Sequence, residues 1–219
     1  MTDTHHTAPD DVLMGYATGT LSQAFDLVLA THVSLSDDAR ARLETFEALG
    51  GAVLCDLDAE DLDRAAPAPD SLQQTLAKID GAAPAPRPTP HAKGLFPAPL
   101  QDAVGGDETA VSWRAVGGGV KQCVLHSDEG GIARLLLIPA GREMPVHSHH
   151  GSEMTLVLQG AYRDEGGRFA RGDLEVADTE ITHQPIAEPG EDCICLVATD
   201  AKLRFRSLLP RLAQPFIGI

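Results

Sequence analysis

At 219 residues the chain has room for one large domain or two small ones, and with 6 Phe, 2 Tyr and 1 Trp its core must be mostly aliphatic. A formal net charge of −15 argues against direct nucleic-acid binding, which needs clustered Lys and Arg, and favours a basic protein partner or simple solubility. No signal peptide and no apolar run long enough to span a bilayer is visible, and Cys55, Cys123, Cys193 and Cys195 suggest no disulfide framework; the expectation is a cytoplasmic chain without a membrane partner.

The charge is uneven. Residues 1–80 carry 15 acidic against 4 basic side chains, a net of −11, whereas residues 95–219 carry −6. Within the acidic part, Asp10 and Asp11 precede Val12–Ala17, a short amphipathic helix with acids at its positive end. Gly19 can stop it. Thr20 and Gln23 have capping-box spacing, and the next helix should carry Phe25, Leu27, Val28 and Leu29 to about His32, with Val33–Leu35 as a connection. Ser36 followed by Asp37 and Asp38 predicts a third helix, through Ala39, Leu43, Phe46 and Leu49 to about Leu54, with Cys55 packed near its end. Asp70 or Ser71 caps a last one through Leu72, Leu76 and Ile79. Such a unit has a thin core and is marginal alone below roughly 80 residues, so it calls for a metal, a partner, or both.

Gly81–Pro90 is rich in Pro and Ala and predicts an extended spacer, continuing to about Pro99. The expected division is therefore 1–80 helical, 81–99 linker and 100–219 β. From Trp113, a core or rim residue, short apolar or alternating runs are punctuated by Gly-rich turns: Val120–Leu125, Ile132–Ile138, Met154–Leu158, Asp173–Ala177, Cys193–Ala198 and Leu203–Leu208. Many short strands without helical period argue for a jelly-roll barrel or sandwich. The fold class is thus α + β: a small helical bundle joined by a Pro-rich linker to a jelly-roll β-barrel.

One stretch of the β part carries chemistry. His147 and His149 are two apart, so on a strand they face the same way, and three further residues bring Glu153 back to that face. Imidazoles and a carboxylate in one concave place form a first coordination shell for a divalent metal, and His183 is a fourth candidate. His150 faces the opposite way from His149, and Glu143 is expected to be solvated. Cys193 and Cys195 face one way in a predicted strand; they are either an oxidant-sensing pair or small core residues, and the second is favoured because an i,i+2 disulfide fits a strand poorly.

Gly141-x5-His147-x-His149-x3-Glu153-x6-Gly160 resembles the first cupin motif at every spacing, and Gly172-x10-His183 resembles the second, although Asp178, Glu180 and Ala187 stand where it usually has Pro, Gly and Asn. The resemblance implies a cupin barrel whose metal is held by His147, His149, Glu153 and His183. Zinc is the expected ion; iron, manganese and nickel use the same ligand set.

The stretches Ala17–Phe25, Ala30–Leu35, Gly117–Val120, Glu153–Gly160, Asp192–Leu196 and Leu209–Phe216 extend the likeness to the ChrR-type anti-sigma factors, which join a helical anti-sigma domain to a cupin. That resemblance implies sequestration of an extracytoplasmic-function sigma factor by the helical part, and release when the metal-binding cupin responds to singlet oxygen or related oxidants. The family's helical part usually holds zinc through an early His and a His-x3-Cys-x2-Cys run. Here His6 and His32 keep the histidine places, but Ser36 and Ala39 stand at the cysteines, so this zinc site is expected to be lost unless His5, Asp37 or Asp38 rescue it. The competing reading is an enzyme, a metal-dependent cupin dioxygenase or isomerase; a paralogue that has lost sigma binding is a third. Resemblance in both parts, in order, favours the regulator.

Overall fold

The computed structural model describes residues 6–56, 67–81, 91 and 93–201, with backbone alone for 203–205. Helices come first: α1 (Asp10–Ala17), α2 (Gln23–Leu35), α3 (Asp37–Cys55), α4 (Ser71–Gly81) and α5 (Ala98–Val104). The strands follow as β1 (Arg114–Gly117), β2 (Val120–Asp128), β3 (Gly131–Ile138), β4 (His147–His149), β5 (Glu153–Gln159), β6 (Ala161–Asp164), β7 (Gly167–Ala170), β8 (Leu174–Ala177), β9 (Thr182–His183), β10 (Ile186–Ala187), β11 (Cys193–Thr199) and β12 (Leu203–Phe205). They form a six-stranded sheet in the order β1-β2-β3-β11-β5-β8 and two three-stranded sheets, β10-β6-β7 and β12-β4-β9. This is the helical part followed by a cupin-like β-sandwich.

The helices obey their local signals with instructive exceptions. Ser36 caps α3, its hydroxyl accepting from the Ala39 N–H at 3.2 Å, with Asp37 and Asp38 in the first turn. The Thr20 capping box does not form. Gly19, at φ 66°, turns the chain out of α1, and the Thr20 hydroxyl donates to the Gly15 carbonyl at 3.1 Å instead, leaving Ser22 at the N-cap of α2. Helix α2 runs on through Val33–Leu35, which was expected to be a connection; its last turn is covered by the shared core. Leu49 and Cys55, expected to pack, are exposed, because the buried face of α3 stops near its middle. The expected Pro-rich spacer lies, from 82 to 90, outside the described residues, and at its expected end near Pro99 the chain is already helical, with Pro97 at the N-cap of α5.

The decisive feature is how the six-stranded sheet is covered. Strands β11 and β5 of this sheet are buried on both faces: β11 at all seven positions and β5 at six of seven. Met154, Leu156 and Leu158 of β5 and Ile194, Leu196 and Ala198 of β11 point outward into one continuous core with Phe25, Val28 and Leu29 of α2 and Leu13 of α1. The alternate positions, Val157, Cys193, Cys195 and Val197, point into the barrel with Tyr162 and Phe169. Near-continuous apolar strands are what a sheet covered on both sides requires. Trp113 is half-buried against the helix-side core.

Candidate metal centre

Two sheets position the site, the three-stranded β12-β4-β9 with its histidines and the six-stranded one with Glu153. His147 pairs with His183 across β4 and β9, and Glu153, first residue of β5, opposes Ala177 of β8 and Thr199 of β11. The structure brings together all four residues that the spacing singled out. His147, His149, Glu153 and His183 are buried, and one ligand atom from each lies within 4.8 Å of the others. The Nε2 atoms of His147 and His149 approach His183 Nε2 at 3.1 and 3.2 Å. Nitrogens bound tetrahedrally to an ion at about 2.0–2.1 Å would be about 3.3 Å apart, so the spacing suits a small divalent cation. His150 and Glu143 are exposed and stand outside the cluster.

Hydrogen bonding behind the imidazoles sets their tautomers. His147 Nδ1 donates to the Pro145 carbonyl at 2.9 Å, which leaves a lone pair on Nε2. His183 Nδ1 donates to Asp164 Oδ2 at 2.8 Å and faces Glu175 Oε1 at 3.2 Å, so its Nε2 also points a lone pair into the centre when the ring is neutral. Two lone pairs 3.1 Å apart repel unless a proton or a cation lies between them. His149 Nδ1 is buried without a hydrogen-bond partner among the described residues and lies 3.6 Å from Glu153 Oε2. The donor set therefore fits a cation.

The proton affinities agree. Burial holds His147 and His149 down to about 4, so both are neutral ligands at neutral pH. Burial pushes Glu153 up to about 7 even with the charge of His183 opposing it, so it is only half ionised at neutral pH without a metal. Burial also acts to lower His183, but its bonds to Asp164 and Glu175 outweigh that and raise it to about 10. Without metal, a proton on His183 Nε2 occupies the place between the lone pairs.

Sequence reasoning missed the groups behind the ligands. Asp164 and Glu175 hold His183, and Tyr162 Oη donates to Glu175 Oε2 at 2.5 Å. Glu175 was detectable in principle: it is a carboxylate at an inward position of an apolar strand, opposite Thr155. Cys193 and Cys195 lie with their sulfurs 3.6 Å apart, fully buried on the same inner face. The bond to Cys193 and burial push the Cys195 thiol well above its usual range.

The histidine and cysteine places of the expected amino-terminal zinc site are otherwise engaged. His32 is fully buried; its Nδ1 donates to the Gly172 carbonyl and its Nε2 accepts from the Ala8 N–H, both at 3.1 Å. The His6 ring lies on Phe169 at 4.4 Å. The Ser36 hydroxyl caps α3, and Ala39 is packed in the core. Among the described residues no metal-holding cluster of His, Cys, Asp or Glu includes His6 or His32, and a capping hydroxyl and a methyl group supply no thiolate, so these four do not fit a zinc site.

A family model described as the ChrR cupin-like domain matches residues 101–202. The chain is 50% identical to the anti-sigma-E factor ChrR of Cereibacter sphaeroides over 219 residues, the full length of both. Among solved structures it is similar to the complex of Rhodobacter sphaeroides SigE with the anti-sigma ChrR. There the TM-score is 0.77 at 45% identity, over 90% of this chain and 99% of that one.

Proposed function

Because this chain belongs to the ChrR family of anti-sigma factors, we propose that its helical part sequesters an extracytoplasmic-function sigma factor in the cytoplasm and that its barrel holds a divalent metal, zinc, through His147, His149, Glu153 and His183. A member of that family is a regulator rather than an enzyme. The observation that carries sigma binding is the apolar surface left uncovered on an acidic unit. Leu49, Val53 and Leu54 of α3 and Leu72, Leu76 and Ile79 of α4 are each more than half exposed. Leu72, Leu76 and Ile79 recur at helical spacing, so they form one stripe along α4. An apolar stripe among acids suits a basic protein partner, with the charge steering the encounter and the stripe supplying burial.

When bound, the ion supplies a positive centre that ties β4, β5 and β9 at one point. The chain's own groups do the rest. His147 and His149 present neutral nitrogens, Glu153 contributes the negative charge, and Asp164 and Glu175 keep His183 turned with its Nε2 inward. Release under oxidative stress is assigned to this barrel. The helical part, with His32 and Ser36 committed to hydrogen bonds, folds without a zinc of its own and leans on the sheet.

Co-purification with the sigma factor encoded beside this chain, with metal analysis of the same sample, tests the reading. A 1:1 complex containing one zinc per full chain supports it. No complex, with iron in the barrel, would replace it by the enzyme reading.

A further inference from the structure

Four consecutive residues, Gly172–Glu175, touch both the helical part and the barrel cluster. The Gly172 carbonyl accepts from His32 of α2 at 3.1 Å. Gly172 sits at φ 93°, a conformation open to glycine, and this turns the strand away from β7 and presents its carbonyl to the helix. The Asp173 carboxylate accepts from the His6 N–H at 3.0 Å, and the Leu174 N–H donates to the His6 carbonyl at 3.0 Å. Three residues in a row thus grip α2 and the segment leading into α1.

The fourth residue faces the other way. Side chains alternate along β8, so Leu174 enters the helix-side core while Glu175 enters the barrel, 3.2 Å from His183 Nδ1. A second route runs in parallel: the His6 ring lies on Phe169, Phe169 stacks on Tyr162 at 5.0 Å, and Tyr162 donates to Glu175. The turn has little freedom of its own. Val157 accepts from the Gly172 N–H at 2.9 Å and donates to the Asp173 carbonyl at 3.1 Å, and the other Asp173 oxygen caps Ala170 N–H at 2.8 Å. A displacement of Glu175 is therefore carried to Gly172 and Asp173 through the backbone rather than absorbed between them.

We propose that Gly172–Glu175 is the mechanical link by which occupancy of the barrel cluster sets how firmly the helical part is held. In it Glu175 and Tyr162 are positioning residues for His183, and Asp173 and His32 are the anchors of the helices. The proposal rests on the metal reading above. It places the response of the protein in the seating of α1 and α2 on the sheet, not in the ligands alone.

Hydrogen exchange on the full-length chain, metal-loaded and chelated, tests it through the His6 and Leu174 amides, which donate across the link, and the Ala8 amide, which donates to the anchor His32. In the unsubstituted protein, chelation should speed their exchange by roughly tenfold, within the usual range of coupling between sites. In Tyr162→Phe or Glu175→Gln, with metal content still one per chain, that difference should shrink to below about threefold. Ser36→Ala, which weakens α3 without touching the link, should keep the full difference. The link is overturned if metal binds and leaves with no change at these amides, or if Tyr162→Phe and Glu175→Gln both retain the full difference. A full-length chain that binds no metal would overturn the metal reading itself, and the link with it; the metal content tells the two failures apart.

Discussion

Replacing His32 by Ala removes the side chain that joins α2 to both the amino-terminal segment and the barrel. Two buried groups then lose their partners, the Ala8 N–H and the Gly172 carbonyl. Each costs about 1–3 kcal/mol when left unsatisfied, and the imidazole leaves a void in a site with no exposure. The expected loss is about 3–5 kcal/mol, a large part of the stability of an ordinary domain. The effect has a pH signature. Burial holds His32 down to about 4 against 6.5 for a free imidazole, so the unfolded chain binds the extra proton between those values. The contribution of the neutral ring is therefore complete above pH 6.5 and is lost as pH falls towards 4. The gap between the parent protein and His32→Ala should narrow by about 2 kcal/mol between pH 7.5 and pH 5. Urea unfolding followed by the fluorescence of Trp113, the only tryptophan, reads both numbers. A cost below about 1 kcal/mol with an unchanged pH slope would refute the reasoning. A cost that disappears when both proteins are chelated would return His32 to a zinc site.

Metal affinity should depend on pH through the groups that must give up protons. With Glu153 at about 7 and His183 at about 10, one proton is displaced per metal between pH 7 and 9 and close to two below pH 7. Chelator competition should show affinity rising about tenfold per unit over the upper range and more steeply below it; a flat profile contradicts the assignment. Leu76→Glu should weaken sigma binding at least about tenfold while shifting the unfolding midpoint little, because Leu76 is half exposed. Equal affinity in a binding titration would remove α4 from the interface. Leu29→Ala, in the core shared by helices and sheet, should cost about 2–5 kcal/mol and lower the stability of both parts in a single transition. Separate transitions seen by far-ultraviolet circular dichroism and by Trp113 would show that the parts fold independently. Ser36→Ala should cost about 1 kcal/mol in the same urea assay, the usual worth of an N-cap.

Local chemistry wrote much of this protein into its sequence. The ligand candidates were readable because strand period and motif spacing are properties of neighbouring residues: His147, His149 and Glu153 lie within seven positions, and His183 follows the Gly172 turn. Ser36 with its two acids announced α3 for the same reason. Where one local signal competed with another, the reading failed. Thr20 had the right spacing to cap α2, but the turn at Gly19 placed its hydroxyl nearer the Gly15 carbonyl. Cys55 and Leu49 looked like packing residues, yet the partner surface for α3 ends before them.

The tertiary structure alone decided what each buried polar group is for. Asp164 of β6 and Glu175 of β8 converge on His183 of β9, with Tyr162 behind Glu175, and nothing in the sequence around β6 or β8 announces that shared partner. His32 has the sequence position of a zinc ligand, but its role is set by an Ala8 N–H 24 residues before it and a Gly172 carbonyl 140 residues after it. The composition could say that the helical unit was too thin to stand alone; only packing showed that the outer face of the sheet completes its core. Periodicity reports which face of an element is apolar, whereas what covers that face depends on contacts between distant parts of the chain.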